Sequence, residues 1–141
     1  MTVTLATRRP SGLGLSRSTL ASVHKLTEPA ARAGRSSRGK ALVNLLEFTE
    51  DERLTTVLPV SEFEPGHHII MATRNGLVKK TDLMAYSRPR AGGIIALDLV
   101  PGDELIAARI TDGTMNVFLG SATGKSIRFH ETDVRPTGRV S

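Results

Sequence analysis

The sequence contains no cysteine and few aromatic residues, and both shortages exclude functions. Without thiols the chain cannot form disulfides, thiolate zinc sites or cysteine nucleophiles. Only 4% of the 141 residues are aromatic, with no tryptophan and one tyrosine, so few side chains could stack on nucleic-acid bases. No apolar run approaches the roughly 20 residues of a transmembrane helix. The hydrophobic share of 39% is nevertheless sufficient to bury a core.

Acidic residues are scarce only in the N-terminal part of the chain. The net charge of +5 suggests a nucleic-acid partner. Residues 1–40, however, hold eight Lys/Arg against one acid, whereas residues 41–141 hold eleven against thirteen acids. The net positive charge of the whole chain therefore does not by itself show that residues 41–141 bind DNA.

Residues 1–22 contain no acidic and no aromatic residue and are rich in Arg, Ser, Thr and Gly. This composition is typical of poorly ordered segments, so we expect a disordered leader. Organellar transit peptides share the same composition. A non-native or frayed leader is the simpler interpretation.

After residue 41, short runs of Val, Ile and Leu alternate with turn residues, which predicts an all-β chain. Asn75-Gly76 supplies the positive φ angles of a tight hairpin turn. No later stretch keeps a helical period for three turns. The predicted strands span residues 41–46, 54–60, 68–72, 77–81, 94–100, 105–111, 115–119 and 126–129.

An internal repeat of about fifty residues is visible when the turns are aligned. Residues 75–81 correspond to residues 123–129, 48 positions later, and Arg88-Pro89 recurs as Arg135-Pro136, 47 positions later. Such a period in an all-β chain indicates propeller-like blades of about four strands each. We predict somewhat over two blade repeats, at about residues 23–72, 73–120 and, in part, 121–141.

Several motifs in one order make the family recognisable. They include GKALVNLL at residues 39–46, MATRNGLVKKT at 71–81, SRPRAGGIIA at 87–96 and GKSIRF at 124–129. Over roughly residues 23–141 the chain resembles the C-terminal domain of the bacterial DNA gyrase A protein. The resemblance implies part of a β-pinwheel, a propeller-like ring whose blades exchange a strand and whose basic rim wraps DNA.

The resemblance also implies partners: double-stranded DNA, the rest of gyrase A, and gyrase B. It implies a cytoplasmic, nucleoid-associated location, with ATP and magnesium needed only by the complete supercoiling enzyme. The nucleophilic tyrosine, the DNA-gate domain and the glutamine-arginine-glycine-rich box of the wrapping blade are not found in this sequence. An incomplete or frameshifted gene fragment is the simplest account, and residues 1–22 match nothing in the family.

The candidate site is a set of basic residues that recur at one phase of the repeat. Residues at one phase of a radial repeat would line one rim, where bent DNA could contact them without base readout. The alternative is that these charges are merely solvated. The predicted phosphate contacts are Arg35, Arg38, Lys40, Arg74, Lys79, Lys80, Arg88, Arg90, Lys125, Arg128, Arg135 and Arg139.

Enzyme-like features are weaker. Residues 120–126 approach a phosphate-binding loop, but only three residues separate the glycines where four are required. His67 and His68 would point to opposite faces of a strand, with no third ligand nearby in sequence. We therefore predict no catalytic residue, metal or cofactor in this chain. Three other functions stay open: a C-terminal fragment of the topoisomerase IV counterpart of gyrase A, a β-propeller scaffold for protein interactions, and a nonfunctional gene remnant.

Overall fold

The computed structural model describes residues 2–8, 19–26, 52–90 and 93–141 and confirms the all-β prediction. The strands are β1 (Thr2–Arg8), β2 (Thr19–Leu26), β3 (Glu52–Pro59), β4 (His68–Thr73), β5 (Val78–Asp82), β6 (Ile94–Leu99), β7 (Leu105–Thr111), β8 (Asn116–Gly120) and β9 (Ser126–His130). Two short 3₁₀ turns, Leu83–Tyr86 and Glu131–Asp133, follow β5 and β9. No helix among these residues is long and apolar enough to cross a membrane.

The described strands form three antiparallel sheets. The first sheet has the order β3-β1-β2-β6, the second β5-β4-β7, and the third is the hairpin β8-β9. The hairpin β4–β5 turns at Gly76, whose φ of +89° an L-residue rarely adopts. Its N–H donates to the Thr73 carbonyl at 3.1 Å. The predicted turn at residues 73–76 is thereby confirmed, but its central residues are Arg74 and Asn75, and the positive φ belongs to Gly76, the fourth residue of the turn.

The first two sheets share one apolar core. Strand β4 lies at the centre of its sheet, where nearly all of its side chains are buried. The apolar run Ile69–Ala72 suits a strand that is covered on both faces. Tyr86 is fully buried, and its hydroxyl donates to the Ala96 carbonyl at 3.3 Å. The core consists of Leu5, Leu58, Val60, Ile69, Met71, Leu83, Tyr86, Ala96, Leu97, Leu99, Leu105 and Ala108.

The expectation of a disordered leader over residues 1–22 is wrong for the described part of that segment. Strand β1 is hydrogen-bonded between β2 and β3, and the Leu5 side chain is fully buried. The cause is local: Thr2-Val3-Thr4-Leu5 alternates and is rich in β-branched residues, which favour strands. Composition averaged over twenty residues concealed this pattern.

The sheets do not coincide with the sequence repeats. Strand β4 belongs to the repeat at residues 23–72, yet it pairs with β5 and β7 from the repeat at 73–120. Because pairing crosses the repeat boundary, the repeat bounds describe sequence periodicity and stay a prediction. The predicted strand at residues 41–46 lies outside the described residues.

Candidate nucleic-acid interface

Two of the predicted basic residues, Arg74 and Lys125, lie on the corresponding hairpin turns of the second and third sheets. Both are exposed, and they border one groove of about 310 Å³ between these turns. Arg74 forms an ion pair with Glu104, whereas its side chain remains 65% exposed. The structure thus brings together two cations that are 51 residues apart in sequence.

The turn that carries Lys125 is built by its own residues. Ser121 N–H donates to the Lys125 carbonyl at 2.7 Å, and Gly124 N–H donates to the Ser121 carbonyl at 3.0 Å. The chain then continues directly as β9. A phosphate-binding loop is followed by a helix whose N-terminus binds the phosphate. A strand follows this turn, so residues 120–126 do not form such a loop.

A second group comes from the two Arg-Pro segments. Arg88 and Arg90 are exposed in the loop that leads to β6, and Arg135 is exposed after the second 3₁₀ turn. The half-buried Arg139 donates from Nη1 to the Ile95 carbonyl at 3.4 Å. Arg139 therefore lies against the strand that follows the Arg88–Arg90 loop.

Arg139 also lies close enough to Tyr86, at the other end of that loop, to affect the pKa of its hydroxyl. Burial raises the pKa of the Tyr86 hydroxyl, and the nearby Thr81 hydroxyl and the positive charge of Arg139 oppose this rise. Arg139 thus influences residues on both sides of the Arg88–Arg90 loop. Arg139, three residues after the second Arg-Pro pair, therefore lies near both ends of the loop that carries the first pair.

The arginine tail, residues 134–141, runs beside β5. Pro136 forms a parallel bridge with Lys80, and Thr137 N–H donates to the Lys80 carbonyl at 2.9 Å. The tail thereby extends the free edge of the second sheet. Its two arginines flank this paired stretch: Arg135 directly precedes Pro136, and Arg139 follows Thr137 by two positions.

Lys79 and Lys80 are both buried, in contrast to the exposed cations above, and their assignment as phosphate contacts stays a prediction. Lys80 is only 4% exposed, and its Nζ donates to the Glu131 carbonyl at 2.6 Å. Lys79 is 9% exposed, and its Nζ donates to the Arg139 carbonyl at 2.5 Å. Burial lowers the pKa of Lys79 below its ordinary value, an effect that the charge of Asp98 partly offsets.

Two buried carboxylates accept hydrogen bonds from backbone N–H groups in the turns of this region. The Glu131 carboxylate accepts hydrogen bonds from the N–H groups of Gly113 and Met115 at 2.9 and 2.8 Å. Burial by itself would raise its pKa, but these bonds, the Thr111 hydroxyl and the Lys80 charge hold the pKa below the ordinary range. The sequence prediction missed Glu131 because a single acid after a strand gives no distinctive pattern.

Asp103 performs the corresponding task at the first hairpin. Its Oδ1 accepts from the N–H groups of Asn75 at 3.0 Å and Glu104 at 2.8 Å. Burial opposes ionisation, yet hydrogen bonds from Thr73 and these backbone groups, together with the Arg74 charge, lower the pKa of Asp103. The Asp that follows the Pro101-Gly102 turn was a visible signal for this role.

The remaining predicted residues divide into two sets. Arg128 is exposed on β9, opposite Phe118. Arg35, Arg38 and Lys40 lie outside the described residues. The exposed guanidinium and ammonium groups can make charge-assisted hydrogen bonds to phosphate oxygens, a chemistry that requires no bond to break.

Comparison with known proteins agrees with this architecture. The family model described as DNA gyrase C-terminal domain, beta-propeller, matches residues 31–61, 67–112 and 116–141. The chain is 24% identical to the C-terminal domain of DNA topoisomerase IV, with a TM-score of 0.73, covering 99% of this chain and 40% of that one. Against the DNA gyrase A C-terminal domain the TM-score is 0.68 at 14% identity, with the same coverage. These two likenesses concern the fold.

Closer sequence relatives are DNA gyrase A proteins. The chain is 50% identical over 109 residues to the gyrase A protein of Salmonella typhimurium, and 51% identical over 106 residues to that of Escherichia coli. The alignments cover 77% and 75% of this chain but only 12% of each relative. The chain thus belongs to the family of DNA gyrase C-terminal domains with the β-propeller fold.

Proposed function

We propose that the chain is a DNA-binding and DNA-wrapping module of a gyrase-type topoisomerase, sequence-tolerant and without chemistry of its own. Family membership supports this proposal, and one structural observation carries it. Five predicted cations are exposed and form no ion pair with another residue of the described ranges. They are Arg88, Arg90, Lys125, Arg128 and Arg135. Unpaired surface cations are free to replace the counterions of a phosphate backbone.

Within a complete enzyme, such a module would support ATP-dependent negative supercoiling. Its partners would be double-stranded DNA, the rest of gyrase A, and gyrase B, on the chromosome in the cytoplasm. ATP and magnesium would act elsewhere in that enzyme. The contribution of this chain would be to bend the DNA along its basic surface, with selectivity set by DNA deformability.

The salt dependence of DNA binding tests the proposal. Fluorescence anisotropy of the 141-residue chain with a random-sequence duplex should give log K falling linearly with log salt concentration. A variant combining Arg88→Gln, Arg90→Gln and Arg135→Gln should lower the slope by about 0.9 for each contact removed. Arg53→Gln, at an exposed cation outside the candidate set, is the matched control and should leave the slope unchanged.

Wrapping requires a second measurement. The chain, added to relaxed circular DNA during closure of a nick, should change the linking number of the product. Equal slopes for the triple variant and the Arg53→Gln control would contradict the assignment of these residues. Salt-independent binding of a protein in place of DNA would favour the scaffold function.

A further inference from the structure

Two adjacent lysines contact two points of one downstream segment. On β5 the side chains of Lys79 and Lys80 leave opposite faces of the strand, as successive residues do. Lys80 Nζ donates to the carbonyl of Glu131, at the start of the 3₁₀ turn before the arginine tail. Lys79 Nζ donates to the carbonyl of Arg139, near the end of that tail. The two ammonium groups therefore fix residues 131–139 at both ends.

The backbone of β5 holds the middle of the same segment. Thr137 N–H donates to the Lys80 carbonyl, and Pro136 bridges to Lys80 in parallel. This contact is an isolated parallel bridge, and parallel pairing is slightly less stable per residue than antiparallel pairing, so pairing alone adds little stability. Hydrogen bonds from charged donors are about twice as strong as neutral ones, so the lysines contribute much of the attachment.

We propose that Lys79 and Lys80 are positioning residues that hold the arginine tail in register, and that they are not phosphate ligands. This inference rests on the proposed function, because the tail matters through its arginines. Arg135 is exposed, and Arg139 reaches β6 after the Arg88–Arg90 loop. Holding the tail in place therefore keeps the exposed Arg135 next to β5 and Arg139 in contact with β6.

The advantage of such a clamp is preorganisation. A guanidinium on a free tail would lose conformational freedom when it binds phosphate, whereas a clamped one has already lost it on folding. Loss of this clamp, by which we mean the hydrogen bonds from Lys79 and Lys80 to the arginine tail and the 3₁₀ turn before it, should therefore weaken DNA binding. No group that touches DNA would be removed.

A double-mutant cycle separates a positioning residue from a ligand. Two independent phosphate ligands have additive effects on affinity, whereas coupled residues do not. In the wild-type chain Arg135→Gln should lower the salt slope by about 0.9. In the Lys79→Met background we expect the affinity cost of Arg135→Gln to be at least about threefold smaller, because the tail is already displaced.

Lys125→Met is the matched control, since Lys125 is exposed on a different turn. Its effect should add to that of Arg135→Gln. The conservative variant Lys79→Arg keeps a charged donor and should restore most of the coupling. Additive effects for Lys79→Met and Arg135→Gln would overturn the proposal and return Lys79 to the set of phosphate ligands.

Hydrogen exchange in the absence of DNA distinguishes failure of the clamp from failure of the proposed function. In Lys79→Met the protection of the Thr137 amide should fall at least about tenfold, as expected for losing a charged hydrogen bond. Amides of β4 should keep their protection and show that the fold is intact. Unchanged protection at Thr137 would contradict the clamp. Absence of DNA binding in every variant, with Thr137 protection lost in Lys79→Met, would contradict only the DNA-binding function.

Discussion

Two regions of the molecule are stabilised by different interactions. The first region consists of the first and second sheets, and the C-terminal region consists of the β8–β9 hairpin and the arginine tail. The paired sheets bury a continuous apolar core around Ile69 and Tyr86. The hairpin instead leaves Phe118 68% and Ile127 59% exposed. A groove of about 440 Å³ separates it from the second sheet. Its attachment depends on Glu131 and on the lysines of β5.

This difference explains how one chain combines stability with a defined charged surface. Apolar burial is non-directional and tolerates exchange of similar side chains. Hydrogen bonds to buried carboxylates and lysines fix particular backbone atoms, but they depend on charge and therefore on pH. The C-terminal region, which carries the arginine tail, is therefore held in place by hydrogen bonds, which are directional.

Truncation in the core should have the largest effect. Ile69 is fully buried, and Ile69→Ala should lower the free energy of unfolding by about 2–5 kcal/mol, since it removes apolar contact and leaves a cavity. Ile106→Ala, at a side chain 53% exposed on β7, is the matched control and should change it by less than about 0.5 kcal/mol. Urea unfolding followed by circular dichroism measures both. Equal losses would show that the core does not lie between the first two sheets.

Removal of the buried carboxylate should have a smaller, local effect. Glu131→Ala leaves the N–H groups of Gly113 and Met115 unpaired and should cost about 1–3 kcal/mol. Hydrogen exchange should show the loss first in β8 and β9, with β4 retaining protection. The exposed Glu62 provides the control substitution Glu62→Ala. Uniform loss of protection across all sheets would contradict a separate anchoring of the hairpin.

Acid should weaken the contacts that depend on buried carboxylates, which are those of Glu131 in the C-terminal region and of Asp103 at the β4–β5 turn. The folded-state pKa of Glu131 lies below its ordinary 4.5, so its stabilising contribution is complete above that pH and is lost as pH falls through the folded pKa. Asp103, also depressed, adds a similar loss below its ordinary 3.8. Glu131→Gln should flatten the acid limb of a plot of unfolding free energy against pH. An unchanged acid limb would show that Glu131 is not ionised in the folded protein.

Exposed apolar residues of the hairpin should matter least. Phe118→Ser should change the free energy of unfolding by less than about 0.5 kcal/mol, because the ring is largely exposed. Leu58→Ser, at a side chain only 5% exposed, is the contrasting variant. Thermal unfolding of both measures the difference. A loss above about 1 kcal/mol for Phe118→Ser would mean that another surface covers this ring.

Much of the local structure could be predicted because its causes are local. Alternation and turn residues place β4, β5, β7 and β9 within one or two residues of their predicted bounds. The exposed Arg88 and Arg90 lie in a loop whose prolines and glycines do not favour a strand, whereas the exposed Arg135 directly precedes a residue that pairs with β5. Strand β1 was missed although its alternation was present, because composition was averaged over a longer segment.

The sequence by itself determined the all-β class, the fifty-residue period, the Asn75-Gly76 turn and the family. These depend on neighbours in the chain, where spacing is sufficient information. Only the tertiary structure decided that Lys79 and Lys80 are buried, whereas Lys125 and Arg135 are exposed. A lysine at a strand position looks the same in sequence whether it meets water or the carbonyl of a residue sixty positions later. Long-range packing sets that environment, and with it which charges remain available to bind a partner.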